Sequence, residues 1–111
     1  SNMAKIRTYN FGWDPSPDSD VQGYVVCWAV PPATIGDGSM DQDYDIETKI
    51  DVGNVTQVTL PLPGMPTNYD GEMNMGVWAY DDVGNKSDIA RVTIPLDLIA
   101  QSAPENPRLL F

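Results

Sequence analysis

Hydrophobic and polar positions along this chain alternate in short runs, with a period of two and not 3.6. Such runs predict half-buried strands, because successive strand side chains point to opposite faces of a sheet. In "KIRTYNFGWD", Tyr9, Phe11 and Trp13 share one face. The prolines of "PSPDSD" end that run, since proline cannot donate to a ladder. "VQGYVVCWAV" sets Tyr24, Val26 and Trp28 on one face and Val25, Cys27 and Ala29 on the other, and Pro31 and Pro32 close it. The polar, glycine-containing stretch 33–43 predicts a loop. "YDIETKIDV" predicts a third strand with Tyr44, Ile46, Thr48 and Ile50 in phase, and Gly53 and Asn54 form a turn pair. "VTQVTLPL" then alternates through Thr56, Val58 and Leu60. After the breaker-rich "PGMPTNYDG", "EMNMGVWAY" sets Met73, Met75, Val77 and Ala79 against Asn74, Gly76, Trp78 and Tyr80. The sixth run, "DIARVTIPL", alternates through Ile89, Val92 and Ile94 with one slip of phase, which predicts a bulge.

Six short strands, ten prolines, nine glycines and no sustained helical period predict an all-β antiparallel sandwich. A chain of 111 residues holds one core and not two. Residues 3–96 form that domain, and 97–111 a separate tail or linker. Ser1 and Asn2 ahead of Met3 read as the scar of an expression tag.

Charge and composition narrow the function. Sixteen acidic and six basic residues give a net charge of −10. That balance opposes nucleic acid, whose recognition needs cations to displace phosphate counterions, and it opposes anionic membrane surfaces. The sequence has no run of eighteen apolar residues and no apolar leader, so membrane insertion and a signal peptide are not expected. Histidine is absent and Cys27 is the lone cysteine. No Ser–His–Asp triad, Cys–His pair, internal disulfide or thiolate zinc site can form. Asp81 and Asp82 in "VWAYDDVGNKSD" are adjacent and point to different sides, so they predict a turn and not a facing acid–base dyad. No catalytic residue or cofactor is expected. The oxygen-bearing residues Asp37, Ser39, Asp41, Asp43 and Asp45 in "DGSMDQDYD" have the alternate spacing of a calcium loop. Gln42 stands where such a loop needs glycine and Thr48 where it needs glutamate. They form a weak calcium candidate, with a solvated loop as the alternative.

Three segments in order, "WDPSPDSDVQGYVV", "IDVGNVTQVTL" and "VWAYDDVGNKSD", resemble a fibronectin type III domain of the kind common in bacterial multidomain proteins. The resemblance spans residues 5–95. It implies an immunoglobulin-like sandwich with Trp13 as the central core tryptophan, packed by Tyr24, Val26, Met75 and Val77. It also implies a non-enzymatic protein-interaction or spacer module in an extracellular or cell-surface setting, which the lack of a signal peptide contradicts unless the domain is excised from a longer protein or exported otherwise. Three features depart from the family. Met73 occupies the position of the tyrosine that ties down the preceding loop, with Tyr69 as the candidate substitute. The first strand is missing. "SAPENPRLLF", near the end of the sequence, reads like that strand. It is either a linker or a replacement strand, supplied within its own chain or by exchange with a neighbour.

The expected binding surface is the outer face of the sheet, where Trp78 and Tyr80 stand beside Val25 and Cys27. An exposed aromatic patch of this kind marks a contact site. Three kinds of partner follow: a protein or neighbouring domain, a polysaccharide stacked on the aromatics, or a second copy of the chain in a homo-oligomer.

Overall fold

The computed structural model describes residues 8–99 and 102–111. The tag residues and the first three positions of the first expected strand lie outside the described residues. Within them the chain is all-β apart from one 3₁₀ turn. The strands are β1 (Tyr9–Gly12), β2 (Gly23–Ala29), β3 (Lys49–Gly53), β4 (Gln57–Leu60), β5 (Asp70–Tyr80) and β6 (Ala90–Asp97). They form two antiparallel sheets, a two-stranded β1–β4 ribbon and a four-stranded sheet in the order β3–β2–β5–β6.

The alternation read from the sequence sets this packing. Tyr24, Val26 and Trp28 of β2 and Met73, Met75, Val77 and Ala79 of β5 share one core, which Leu60 of β4 and Leu96 of β6 complete. Tyr9 and Phe11 of β1, followed by Trp13, lie against it and remain half-buried. Trp13 stacks obliquely on Tyr24 at a centroid distance of 5.6 Å. Its indole N–H is buried and has no hydrogen-bond partner.

A ribbon of two strands is too narrow to cover a sheet of four. The long connection from β4 to β5 supplies more cover by burying Met65 in the same core. Its sulfur accepts the Leu62 N–H at 3.2 Å, and a left-handed Gly64 (φ 92°) lies over the Trp28 ring. No described residue pairs with the outer edge of β1.

Four expectations are corrected. The third strand begins at Lys49, because residues 41–45 form a 3₁₀ turn. Tyr44 and Ile46 therefore pack on the opposite side of the sheet from Ile50. The β5–β6 register is unbroken from Val77↔Ala90 to Asp70↔Asp97, and the irregularity falls instead between Tyr24 and Val25 in the β2–β3 pair. Ile89 precedes β6 and packs on the other face from Ile94, which accounts for the apparent slip of phase. The Tyr69 hydroxyl donates to the Glu72 carbonyl, so it fastens the start of β5 and not the loop before it. Lastly, residues 102–111 are exposed throughout, so within this chain the tail does not replace a strand beside β1.

Leu60 is the only β1–β4 side chain that is fully buried in the shared core. Truncation to alanine should therefore weaken the contact between the sheets. Leu60→Ala is expected to cost about 2–5 kcal/mol, read as a lower urea midpoint at unchanged m-value.

Candidate functional site

The outer face of the four-stranded sheet was the expected contact surface, and its strand phase is as expected. Trp78 and Cys27 do lie on the side opposite Met75 and Val77. They are not presented to solvent. Trp78 is only 3% exposed and Cys27 is fully buried, because the 30–48 segment folds back across them. Ile35 from that segment joins Cys27, Ala29, Trp78 and Ile89 in a second apolar cluster, with Val25, Tyr44 and Ile46 around it. The expectation of an open Trp78 surface is corrected by this cover.

The cover is positioned by specific polar bonds. The Ala33 carbonyl accepts from the Asn74 amide at 2.8 Å, and the Ile35 carbonyl from the Arg91 guanidinium at 3.0 Å. The Asp37 carbonyl accepts the Ile89 N–H at 2.9 Å. Tyr44 donates its hydroxyl to the Ser87 carbonyl at 2.6 Å, and its ring meets Trp78 edge-on at 5.1 Å. The Lys86 ammonium lies 5.4 Å from the centre of the Tyr44 ring. At the far end, Thr48 donates its hydroxyl to the Trp28 carbonyl. Gly76 makes the close approach possible. A β-carbon there would lie 2.8 Å from the Cys27 sulfur and 2.9 Å from Ile89.

The acidic residues of this segment act on its own backbone. Asp43 accepts the N–H groups of Gly38 and Met40 at 3.0 and 3.2 Å, and Asp37 accepts that of Ser39 at 2.9 Å. The Ser39 bonds hold the Asp37 carboxyl below its ordinary range. Among the described residues, no three acidic or cysteine side chains converge as metal ligands. Asp37, Ser39, Asp41, Asp43 and Asp45 thus share a loop without sharing a centre.

The segment that follows Tyr80 is a turn. One Asp81 carboxylate oxygen accepts the N–H groups of Val83 and Asn85 at 3.0 and 2.9 Å, and the other takes the Asn85 amide at 2.8 Å. The Asn85 side chain is the main reason the Asp81 carboxyl sits below its usual range. Gly84, at φ 91°, supplies the left-handed step that side chains resist.

Tyr80 is half-buried at the rim. Its hydroxyl donates to Asp51 at 2.7–2.8 Å, and this bond pushes the phenol above its usual range. Of the four expected surface residues, Tyr80 and Val25 keep partial exposure and Trp78 and Cys27 are buried. The fastening of this cover, by Tyr44 to the Ser87 carbonyl and by Arg91 to the Ile35 carbonyl, was not anticipated from the sequence. Its signal was three apolar residues, Ile35, Tyr44 and Ile46, spaced through an otherwise polar stretch.

What remains open to a partner lies elsewhere. A groove of about 520 Å³ runs between the cover and β6, lined by Thr34, Ile35, Asn74, Arg91 and Thr93 among others. Two of its polar groups, Asn74 and Arg91, are already committed to the cover. The edge of β1 is different, because a strand edge offers backbone N–H and C=O groups to any extended chain. Comparison of the chain with protein-family models, curated proteins and solved structures returned no match.

Burial pushes the Cys27 thiol up to about 11. The thiolate is the reactive form, so a disulfide-exchange reagent at pH 8 is expected to leave the folded protein unlabelled. Gly76→Val should lift the cover and expose the thiol, giving labelling at least tenfold faster. Cys27, Tyr44 and Tyr80 all have raised values, the first two mainly through burial and Tyr80 through Asp51. A raised folded value means the folded state holds its proton more tightly. The stability tied to Cys27 is therefore complete below about pH 9 and falls as pH rises through 11, and the two tyrosines, raised from their ordinary value, add to the decline at higher pH. Unfolding midpoints measured from pH 7 to 11 should decline in that window, and less steeply in Cys27→Ala.

Proposed function

We propose that this chain is a non-enzymatic protein-interaction or spacer module, with the strand arrangement of a fibronectin type III domain in which no described residue fills the place of the first strand. The support for the family reading is the order of the strands. A ribbon of β1 and β4 faces a sheet in the order β3–β2–β5–β6, as expected if "WDPSPDSDVQGYVV" joins the second strand of that fold to the third and "VWAYDDVGNKSD" joins the sixth to the seventh. The missing strand would lie against β1.

One observation carries the functional reading: the unpaired outer edge of β1 above half-buried Tyr9, Phe11 and Trp13. An added strand there would satisfy backbone groups and widen the two-stranded cover, a recognised mode of peptide capture. The acidic surface keeps such a module soluble and disfavours anionic partners. The polysaccharide alternative loses its main platform, since Trp78 is sealed beneath Ile35 and Tyr44. Affinity electrophoresis through neutral polysaccharide gels should show no retardation, and retardation abolished by Tyr80→Ala would restore that reading.

Amide hydrogen exchange on dilute protein tests the open edge. Outward-facing N–H groups of Tyr9–Gly12 should exchange at least a hundredfold faster than those of Met75–Val77 at the sheet centre. Equal protection in the two strands would mean that β1 is already paired, and the interaction reading would fall.

A further inference from the structure

The tail and the vacant edge have complementary deficiencies. Residues 102–111 are all exposed, with Leu109 and Leu110 at 78% and 82% and Phe111 fully open to solvent. No other segment among the described residues concentrates three large, adjacent apolar side chains in water. In an extended strand Leu109 and Phe111 would share one face, and Arg108 and Leu110 the other. The first pair could complete the cover over Phe11 and Trp13.

Geometry argues against the tail reaching its own β1 edge in the antiparallel sense. The tail leaves β6 beside the first residue of β1, where the Asp97 N–H donates to the Tyr9 hydroxyl at 3.0 Å. Continuing along its own β1 from there, it would run parallel to that strand. To lie antiparallel it would have to cross the edge and turn back. The tail does neither. Pro104 and Pro107 stiffen it, Asn106 bends it at φ 53°, and the molecule measures 67 × 28 × 19 Å. Ten extended residues span roughly 33 Å, about half of that long axis. A second copy can present its tail to β1 in either sense.

Charge points to the same occupant. The whole chain carries −10, so two bodies meeting face to face repel. The side-chain charges of the tail, Glu105 and Arg108 alone, cancel. The tail can cross to an acidic neighbour while the two bodies stay apart.

We propose that residues 107–111 of one copy add as a strand to the outer edge of β1 in a second copy, placing Leu109 and Phe111 over its half-covered core. This rests on the interaction-module reading and names its partner as the chain itself. Reciprocal exchange closes a pair, and unreciprocated exchange extends a row.

Sedimentation equilibrium and hydrogen exchange on the full chain test the proposal. The weight-average mass should rise with concentration from 12.2 kDa to at least twice that value, and rise further with added salt as repulsion is screened. The exposed-site variant Leu109→Asp with Phe111→Asp should stay monomeric, while Leu110→Asp still associates. A synthetic peptide of residues 102–111, added in excess, should return the wild-type chain to monomer and slow exchange at Tyr9–Gly12. A monomeric wild-type chain at millimolar concentration overturns the exchange, whether or not the peptide protects β1. Association that survives the double substitution also overturns it. If β1 exchanges freely in the dilute monomer, the interaction-module reading survives either failure.

Discussion

β5 is buried on both faces, and the rest of the molecule answers to that constraint. It is the longest strand, at eleven residues, and it pairs with β2 on one side and β6 on the other. Antiparallel sheets commonly leave one face wet. Here Met73, Met75, Val77 and Ala79 need one apolar cover, and Trp78 with its neighbour Cys27 needs another. The two covers are built differently. Inside, it is a ribbon of strands reinforced by Met65. Outside, it is the 30–48 segment, which has no strand before Lys49 and is held by side-chain bonds from Tyr44, Asn74 and Arg91.

The difference has consequences for where the molecule can bind. The outer cover uses its polar groups on its own backbone, and its carboxylates cap its own turns. Little chemistry is left over on that side. The inner cover has only two strands among the described residues, and it leaves half-buried aromatics and an unpaired ladder edge. Backbone N–H and C=O groups at such an edge are generic acceptors of a strand. Specificity must then come from the side chains above them, Tyr9, Phe11 and Trp13.

How much of this was legible depended on whether the information was local. The period-two pattern located β1, β2 and β5, and it assigned Tyr24, Val26, Met75 and Val77 to a common core. It also put Trp78 on the correct face. Exposure is not a local property. Trp78 is covered by Ile35 and Tyr44, which lie more than thirty residues earlier in the sequence and in a stretch whose polarity suggests a solvated loop. The same non-local demand overrode the alternation of Tyr44, Ile46 and Ile50. Tyr44 was drawn to Trp78 by a ring contact, so a 3₁₀ turn replaced the start of a strand. The turn at Asp81–Asn85 was read correctly because its bonds are all within five residues.

Trp13 shows why the unpaired edge of β1 matters energetically as well as topologically. An indole N–H that is buried without a partner costs on the order of 1–3 kcal/mol, and Trp13 carries one. The ring is nevertheless only half-buried, so the molecule bears the polar penalty without the full apolar gain. A strand laid along β1 would increase that gain, since burial of apolar area contributes about 25 cal/mol per Å². The vacant edge is therefore a site where added chain stabilises more than the ladder alone. A fold that left a complete sandwich at this edge would have no such asymmetry to offer a partner.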